Sequence, residues 1–442
     1  MASDFIKEKI KDRPVDKKKL AKKVGMTVLI AVIFGFVSAV TFSLVYSHLS
    51  SHKDNEVKMV SLSSDEPANE TNVAAADNTV SEDNAAIDDK DAVSKNTPVE
   101  AKPSGPSTII NNITNSVDMT PENYAKLCRS VHDIAFDASK ALVTVNATTT
   151  GTDWFENPYE NGNTGIGMIL ADNGRQLLIL TESSITKDAE IISVVFSDGS
   201  DAKARIINTD PDTSLQIIGV DLSEISDDTM TSYKYASLGS STYSSTVGTP
   251  VAAIGAPIGI VSSEAYGFIT SMSQEKEMSD FNVHILTTDI SGSDNASGVI
   301  IDYTGRVLGI ISSSLKDRNI NGMISAYSIS DIKETIENLA NGKERTYMGI
   351  IGTSVTEEVS ETQNMPLGAY VINVDPDSPA MGAGIQSGDV ITKVGTENIL
   401  DYEDYSNAIS QLSPGIDTVI TVQRFSRGTY TELTFEAELS KK

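Results

Sequence analysis

The sequence predicts a mainly β protein in which a β-barrel or β-sandwich domain is followed by a small α/β module. Three observations carry this. Between Ala141 and Ile311 the chain holds a series of short apolar runs punctuated by glycine, with few helical stretches among them. After Asn341 the texture changes to mixed strand and helix patterns over residues 345–440. Ahead of both lie an uncharged apolar stretch and a long acidic, aromatic-poor segment.

Residues 1–23 contain nine Lys/Arg and end in "KKKLAKK". The next segment, Val24 to Tyr46, has no charged residue. At ~1.5 Å per residue such a helix spans roughly the ~30 Å hydrocarbon core of a bilayer. A cleavable signal has an apolar region of only about 7–15 residues, so an uncleaved transmembrane anchor fits better. Basic residues before the span and acidic ones after it orient the N-terminus to the cytoplasm and the bulk of the chain outside it. Residues 47–117 follow as an expected disordered linker. Twelve acidic and five basic residues lie between Ser51 and Ser107, too little apolar surface to offset the entropy of ordering.

The barrel domain is expected over residues 118–341. Thr120 can cap a helix, Pro121 suits its first turn, and Glu122 favours its positive end. Tyr124, Leu127, Val131, Ile134 and Ala138 then recur at helical spacing, and Cys128 on this helix reads as a small buried or half-buried residue. The expected strands are "ALVTVNA", "GIGMILA", "LLILT", "IISVVF", "ARIINT", "SLQIIGV", "TPVAAIG", "GFITSM", "VHILTTD", "GVIID" and "RVLGII". Trp154, Phe155 and Tyr159 fall in a long loop between the first two.

Composition excludes several functions. The 442 residues carry 34 Lys+Arg against 61 Asp+Glu, a net charge of −27, and the dense basic cluster lies before Thr27. Phosphate backbones need clustered cations, so nucleic acid is not an expected partner. A single cysteine rules out an intrachain disulfide. No Cys/His cluster has metal-ligand spacing, and no Lys-Ser/Thr follows the turn at Thr164–Gly167, so no metal or cofactor is expected.

"YMGI" (Tyr347–Ile350) and "SPAMGAGIQSGDVITKVG" (Ser378–Gly395) resemble the PDZ domains of the HtrA (DegP) family. The resemblance implies capture of peptide C-termini by strand addition. Tyr347, Met348, Gly349 and Ile350 would form the turn whose N–H groups face the terminal carboxylate, with Ile350 flooring the pocket for the last side chain. "GIGMIL", "LILTESSI", "NTDPDTSLQIIGVDL", "VGTPVAAIGAPIG" and "TTDISGSDNASGVIIDYTGRVLGI" likewise resemble, in order, the protease domain of that family. This implies a chymotrypsin/trypsin-like double β-barrel with a catalytic cleft between the barrels.

The triad does not survive the comparison. Where the family writes Leu-Thr-Asn-Asn-His-Val, this chain has Leu180 to Ile185, with Ser184 at the histidine. Where it writes Asp-Pro-x-Thr-Asp-Leu-Ala, this chain has Asp210 to Gln216, with Ser214 at the aspartate. Counting back from Gly305 puts Ala296 at the nucleophile; counting forward from Asp289 puts Ser297 there. The first count keeps the next strand in register, where a slip would invert its faces. Of the four histidines, His48, His52, His132 and His284, none matches the catalytic position. A serine without a base keeps its proton. The oxyanion-hole glycine two residues before the nucleophile is Asp294 here, or Asn295 on the other count; Asp294 would set a charge that opposes the transition state. Lys187, three residues past Ser184, reads as an exposed loop lysine rather than half of a Ser–Lys dyad.

These observations predict a single-pass, membrane-anchored HtrA-like pseudoprotease that binds polypeptides or their C-termini outside the membrane. The resemblance leaves a homotrimer open and implies a part in envelope protein quality control and signalling. The alternatives are a weak serine endopeptidase using Ser297 and a holdase-like chaperone.

Overall fold

The computed structural model describes residue 26 and residues 58–62, 120–152, 158–242, 246–318 and 322–442. Apart from Met26, the apolar stretch expected to span a membrane lies outside them, as do His48 and His52. Among the described residues no helix is long and apolar enough to cross a bilayer.

Each of the eleven runs read as strands falls on a strand. In chain order these are β1 (Leu142–Thr152), β2 (Pro158–Asp172), β3 (Gln176–Glu182), β4 (Ile191–Val195), β5 (Asp201–Thr209) and β6 (Leu215–Asp221). They close a barrel in the order β1-β2-β3-β6-β5-β4. A second barrel, β10-β11-β12-β9-β8-β7, is closed by β7 (Pro250–Ala256), β8 (Ser263–Met278), β9 (Phe281–Ser291), β10 (Ser297–Asp302), β11 (Val307–Ile311) and β12 (Met323–Ser328). Two closed barrels exclude the sandwich. The loop expected to hold Tyr159 is shorter than its sequence suggests: the β1–β2 ladder runs out to Thr152 opposite Pro158 and pairs Gly151 with Tyr159.

Alternation along the strands sorts the core. In β10, Ile300 packs with Val251, Leu286 and Ile324 inside the second barrel. Its neighbours Val299 and Ile301 face the other way, into a cluster with Ile166, Met168, Leu215 and Ile217 of the first barrel. This shared cluster welds the barrels together, each fully buried side chain contributing about 1.5–3 kcal/mol. Helix α1 (Pro121–Ser139) begins as predicted, with Thr120 Oγ1 accepting from Asn123 N–H at 3.3 Å. Its predicted apolar face is not fully covered, however: Ala135 is buried, while Tyr124 and Leu127 are exposed, and Cys128 is exposed rather than buried. Two short helices, α2 (Ser183–Thr186) and α3 (Asp227–Ser232), decorate the first barrel.

Helix α4 (Ile329–Ala340) buries Ile332, Ile336 and Leu339 against the inter-barrel cluster. Here the tether reading needs correction. Met59–Leu62, within the stretch expected to be a solvated linker, docks on α4. Val60 N–H donates to Asn341 Oδ1 at 2.7 Å, Asn341 Nδ2 donates to Val60 O at 2.7 Å, and the Val60 side chain joins the core. Leu62 adds to this: it packs against the same cluster, and its N–H donates to Glu337 Oε2 at 3.1 Å.

The C-terminal module comprises β13 (Thr346–Tyr347), β14 (Ile350–Ser354), α5 (Glu357–Gln363), β15 (Ala369–Val374), α6 (Pro379–Ala383), β16 (Asp389–Val394), β17 (Glu397–Asn398), α7 (Tyr402–Ser410), β18 (Asp417–Ser426), β19 (Thr429–Glu438) and β20 (Ser440–Lys441). Its sheet runs β14-β15-β16-β18-β19, so β14 is an edge strand, and α7 covers its core through Tyr405 and Ile409. The Ser378-Pro379 motif opens α6: Ser378 Oγ accepts from Met381 N–H at 3.2 Å, and Gly384 closes the helix at φ 95°.

Candidate functional site

Of the positions aligned with the triad, Ser184 and Ser214 lie close together, while Ala296 faces the interior of the second barrel. Ser184 sits on α2, exposed, its hydroxyl 3.3 Å from that of Ser313. Ser214 stands beside it: its carbonyl accepts from Ser183 N–H at 2.9 Å, and its φ of 63° places it in the left-handed region. Ala296 is buried in the interior cluster of the second barrel. Ser297, also buried, borders a cavity of about 20 Å³ lined by Met168, Leu180, Glu182 and Leu215. Among the described residues no imidazole reaches either. His132 pairs on the outside of the domain with Glu264 at 2.7 Å, and His284 faces Asp331 and Glu275.

The loop before β10 closes on itself. Ala296 N–H donates to Ser293 O at 2.9 Å, and Asn295 N–H donates to Ser293 Oγ at 3.2 Å. These are donors an oxyanion hole would need free and convergent. Asp294 is exposed at the same turn.

Sequence reading missed Glu182. It is buried at the end of β3 and accepts from Ser313 N–H at 2.9 Å and from the Ser312 hydroxyl. Burial pushes its carboxyl above the usual range, opposed by those serine donors. The chain of contacts continues from Ser312 Oγ to Ser314 Oγ (2.7 Å), to Tyr327 Oη (2.7 Å) and to Lys276 Nζ (2.6 Å). Glu182 is thus held by fixed donors, and among the described residues none of its hydrogen-bond partners is a basic side chain. The only signal in the sequence was an acid where the family writes asparagine.

His284 is clamped by Asp331 Oδ2 at 2.9 Å and Glu275 Oε1 at 3.3 Å. The Asp331 hydrogen bond, then that to Glu275, raises its pKa from 6.5 to about 10. A raised imidazolium contributes stability that is fully present below the unfolded value and is lost as pH rises through the folded one. Thermal stability should therefore fall between pH 6.5 and about 10. His284→Gln should flatten that decline by on the order of 1 kcal/mol, small because the site is more than a third exposed to screening solvent. A melting series against pH measures it, and an unchanged slope in the variant refutes the assignment.

The second candidate site lies in the C-terminal module. Gly349, at φ 86°, turns the chain between β13 and β14 so that the N–H groups of Met348, Gly349 and Ile350 converge. A carboxylate occupies their focus, that of Asp280 from the β8–β9 turn of the second barrel. It accepts from Met348 N–H at 2.8 Å, from Gly349 N–H at 2.8 and 3.0 Å, and from Ile350 N–H at 2.9 Å. The Tyr405 hydroxyl of α7 donates to it at 2.6 Å. Met348 and Ile350 are fully buried, and the Tyr347 hydroxyl donates to Asp375 at 2.9 Å rather than toward the focus. Beside this site opens a cavity of about 940 Å³ bordered by His284, Asp331, Arg345 and Tyr402.

Comparison with known proteins follows the same division. Residues 165–310 match the model of the trypsin-like peptidase domain, and residues 347–439 that of the PDZ domain. Relatives include the "Probable periplasmic serine endoprotease DegP-like" of Brucella suis biovar 1 (strain 1330), 24% identical over 278 residues, 62% of this chain and 52% of that protein. The protein of the same description from Pseudomonas savastanoi pv. phaseolicola (strain 1448A / Race 6) is 29% identical over 271 residues, 60% of this chain and 54% of that protein. The chain spans about half the length of these relatives. Among solved structures, the HtrA-type protease AlgW with a decapeptide superposes with a TM-score of 0.52 at 21% identity, covering 71% of this chain and 98% of that one. That likeness concerns the fold. The chain therefore carries an HtrA-like, trypsin-like peptidase domain followed by a PDZ domain.

Proposed function

We propose that this protein is a proteolytically silent, membrane-anchored HtrA-like binder whose PDZ domain takes polypeptide C-termini outside the cytoplasmic membrane, in protein quality control or signalling. The observation that carries the binding half is the convergence of three backbone N–H groups on one carboxylate. A C-terminus presents the same group, and β14, an edge strand of its sheet, can pair with the residues preceding it. The silent half rests on the cleft, where Ser184, Ser214 and Ala296 supply neither base, orienting carboxylate nor nucleophile. The anchor rests on the uncharged run Val24–Tyr46 and the basic residues before it.

Titration of the full chain with decapeptides ending in Val, Leu or Phe tests the binding. Micromolar-range affinity is expected for free C-termini and at least tenfold weaker affinity for the amidated forms, since amidation removes the charge those donors hold. Equal binding of the two forms would remove carboxylate capture.

A further inference from the structure

The carboxylate site of the PDZ domain is already filled, and by the protein itself. We propose that Asp280 is a built-in competitor: the β8–β9 hairpin closes the peptide site, and an incoming C-terminus must displace it. This rests on the reading of that site as a C-terminus binder and adds its regulation.

The hairpin is longer than the barrel requires. β12 pairs with β9 from Ile285 to Ser291, whereas β8 and β9 continue to pair with each other out to Met278 opposite Phe281. Residues Phe281–His284 of β9 therefore extend past the β12 ladder, with Met278 and Val283 anchored in the inter-barrel cluster, and the turn Ser279–Asp280 forms the tip. That tip lies against the PDZ domain in the manner of a ligand. Asp280 N–H donates to Ile350 O at 2.7 Å, giving β14 a main-chain partner. The Asn282 amide donates to Gly352 O at 3.1 Å, two residues further along the same edge. The Asp280 side chain completes the likeness with the oxygens a terminal carboxylate would offer. Its backbone adopts φ 70°, a left-handed conformation that a non-glycine residue enters at some cost.

Neighbouring contacts hold the tip. Ser279 Oγ donates to Asp375 Oδ2 at 2.5 Å, and Ser279 O accepts from Arg345 Nη1 at 2.8 Å. Arg345 lies over the Phe281 ring at 4.5 Å and pairs with Asp212 of the first barrel. Most of these bonds involve side chains or a single main-chain pair. A bound peptide would offer its own carboxylate and extend main-chain pairing along β14, so one set of donors can be exchanged for another. When a competent state is only a fraction of the population, apparent affinity falls by that fraction.

The test uses the full chain as wild type, Asp280→Ala and Asp280→Asn, with decapeptides ending in Val, Leu or Phe, free or amidated. Asp280→Ala should bind free C-termini at least tenfold more tightly than wild type, and Asp280→Asn should move in the same direction. Equal or weaker affinity of both variants overturns the competitor. A second readout needs no ligand: amide exchange at Met348–Ile350 should quicken at least tenfold in both variants, measured against Val422 in β18 as an internal standard of folding. Unchanged exchange overturns the proposal by itself. If no peptide binds any form while exchange quickens, Asp280 caps the three N–H groups but the reading of the site as a C-terminus binder fails, and the competitor with it.

Discussion

Incubated with a fluorophosphonate probe, the full chain should remain unlabelled, and an unfolded substrate such as casein should survive it intact. Ser297→Ala should change neither result. Serine attack requires a base within reach of the hydroxyl, and removing triad members costs on the order of 10⁴–10⁶ in turnover. Here Ser184 stands at the position expected for the imidazole and Ser214 at that of its carboxylate. The Ala296 N–H is turned into its own loop toward Ser293. Ser297 faces a cavity of about 20 Å³, too small for a peptide bond to enter beside Glu182. Labelling that disappears in Ser297→Ala would show that the cleft opens and that another group takes the proton.

The second large effect concerns Gly349. A Cβ there would stand 2.3 Å from Ser378 Cβ and 2.8 Å from the Tyr347 hydroxyl, on a backbone at φ 86°. Ser378 caps α6 and is buried, so it cannot retreat cheaply. Gly349→Ala should therefore turn the three N–H groups off their common focus. Affinity for free C-termini should fall by on the order of 100-fold, in line with about 1–3 kcal/mol of backbone strain plus the loss of charge-assisted hydrogen bonds. Gly388→Ala is the matched control. Its φ is 91° but a Cβ there meets nothing within 4 Å, so it carries the strain without the clash. Peptide titrations of the two variants decide the matter. Equal losses would mean that the loop's conformation does not set the affinity.

The strands were legible because each is a short apolar run bounded by turn residues, and burial on both faces of β3 and β6 makes such runs continuous. The PDZ domain was legible for a different reason, the resemblance of Tyr347–Ile350 and Ser378–Gly395 to that family's motifs. The β8–β9 tip was not. "SQEKEMSDFN" is charged and without alternation; Met278 reaches the core, but Asp280 and Asn282 are held by contacts to the C-terminal module. Asp280 is one of 61 acidic residues, and nothing local distinguishes it from the solvated ones. Glu182 was hidden likewise: its partners Ser312 and Ser313 come from about 130 residues away. Val60 was lost in the acidity around it, and the exposed half of α1 shows that helical spacing of apolar residues gives a face without saying what covers it.

The apolar seam shared by the two barrels limits how this molecule can deform. Val299 and Ile301 from one side and Met168 and Leu215 from the other belong to a single packed mass, with α4 laid across it. Prising the halves apart like a clam would wet that mass, so the groove cannot gape to accommodate bulky cargo. The same mass holds the base of the β8–β9 hairpin through Met278 and Val283, so any yielding there is confined to Ser279 and Asp280 at its tip.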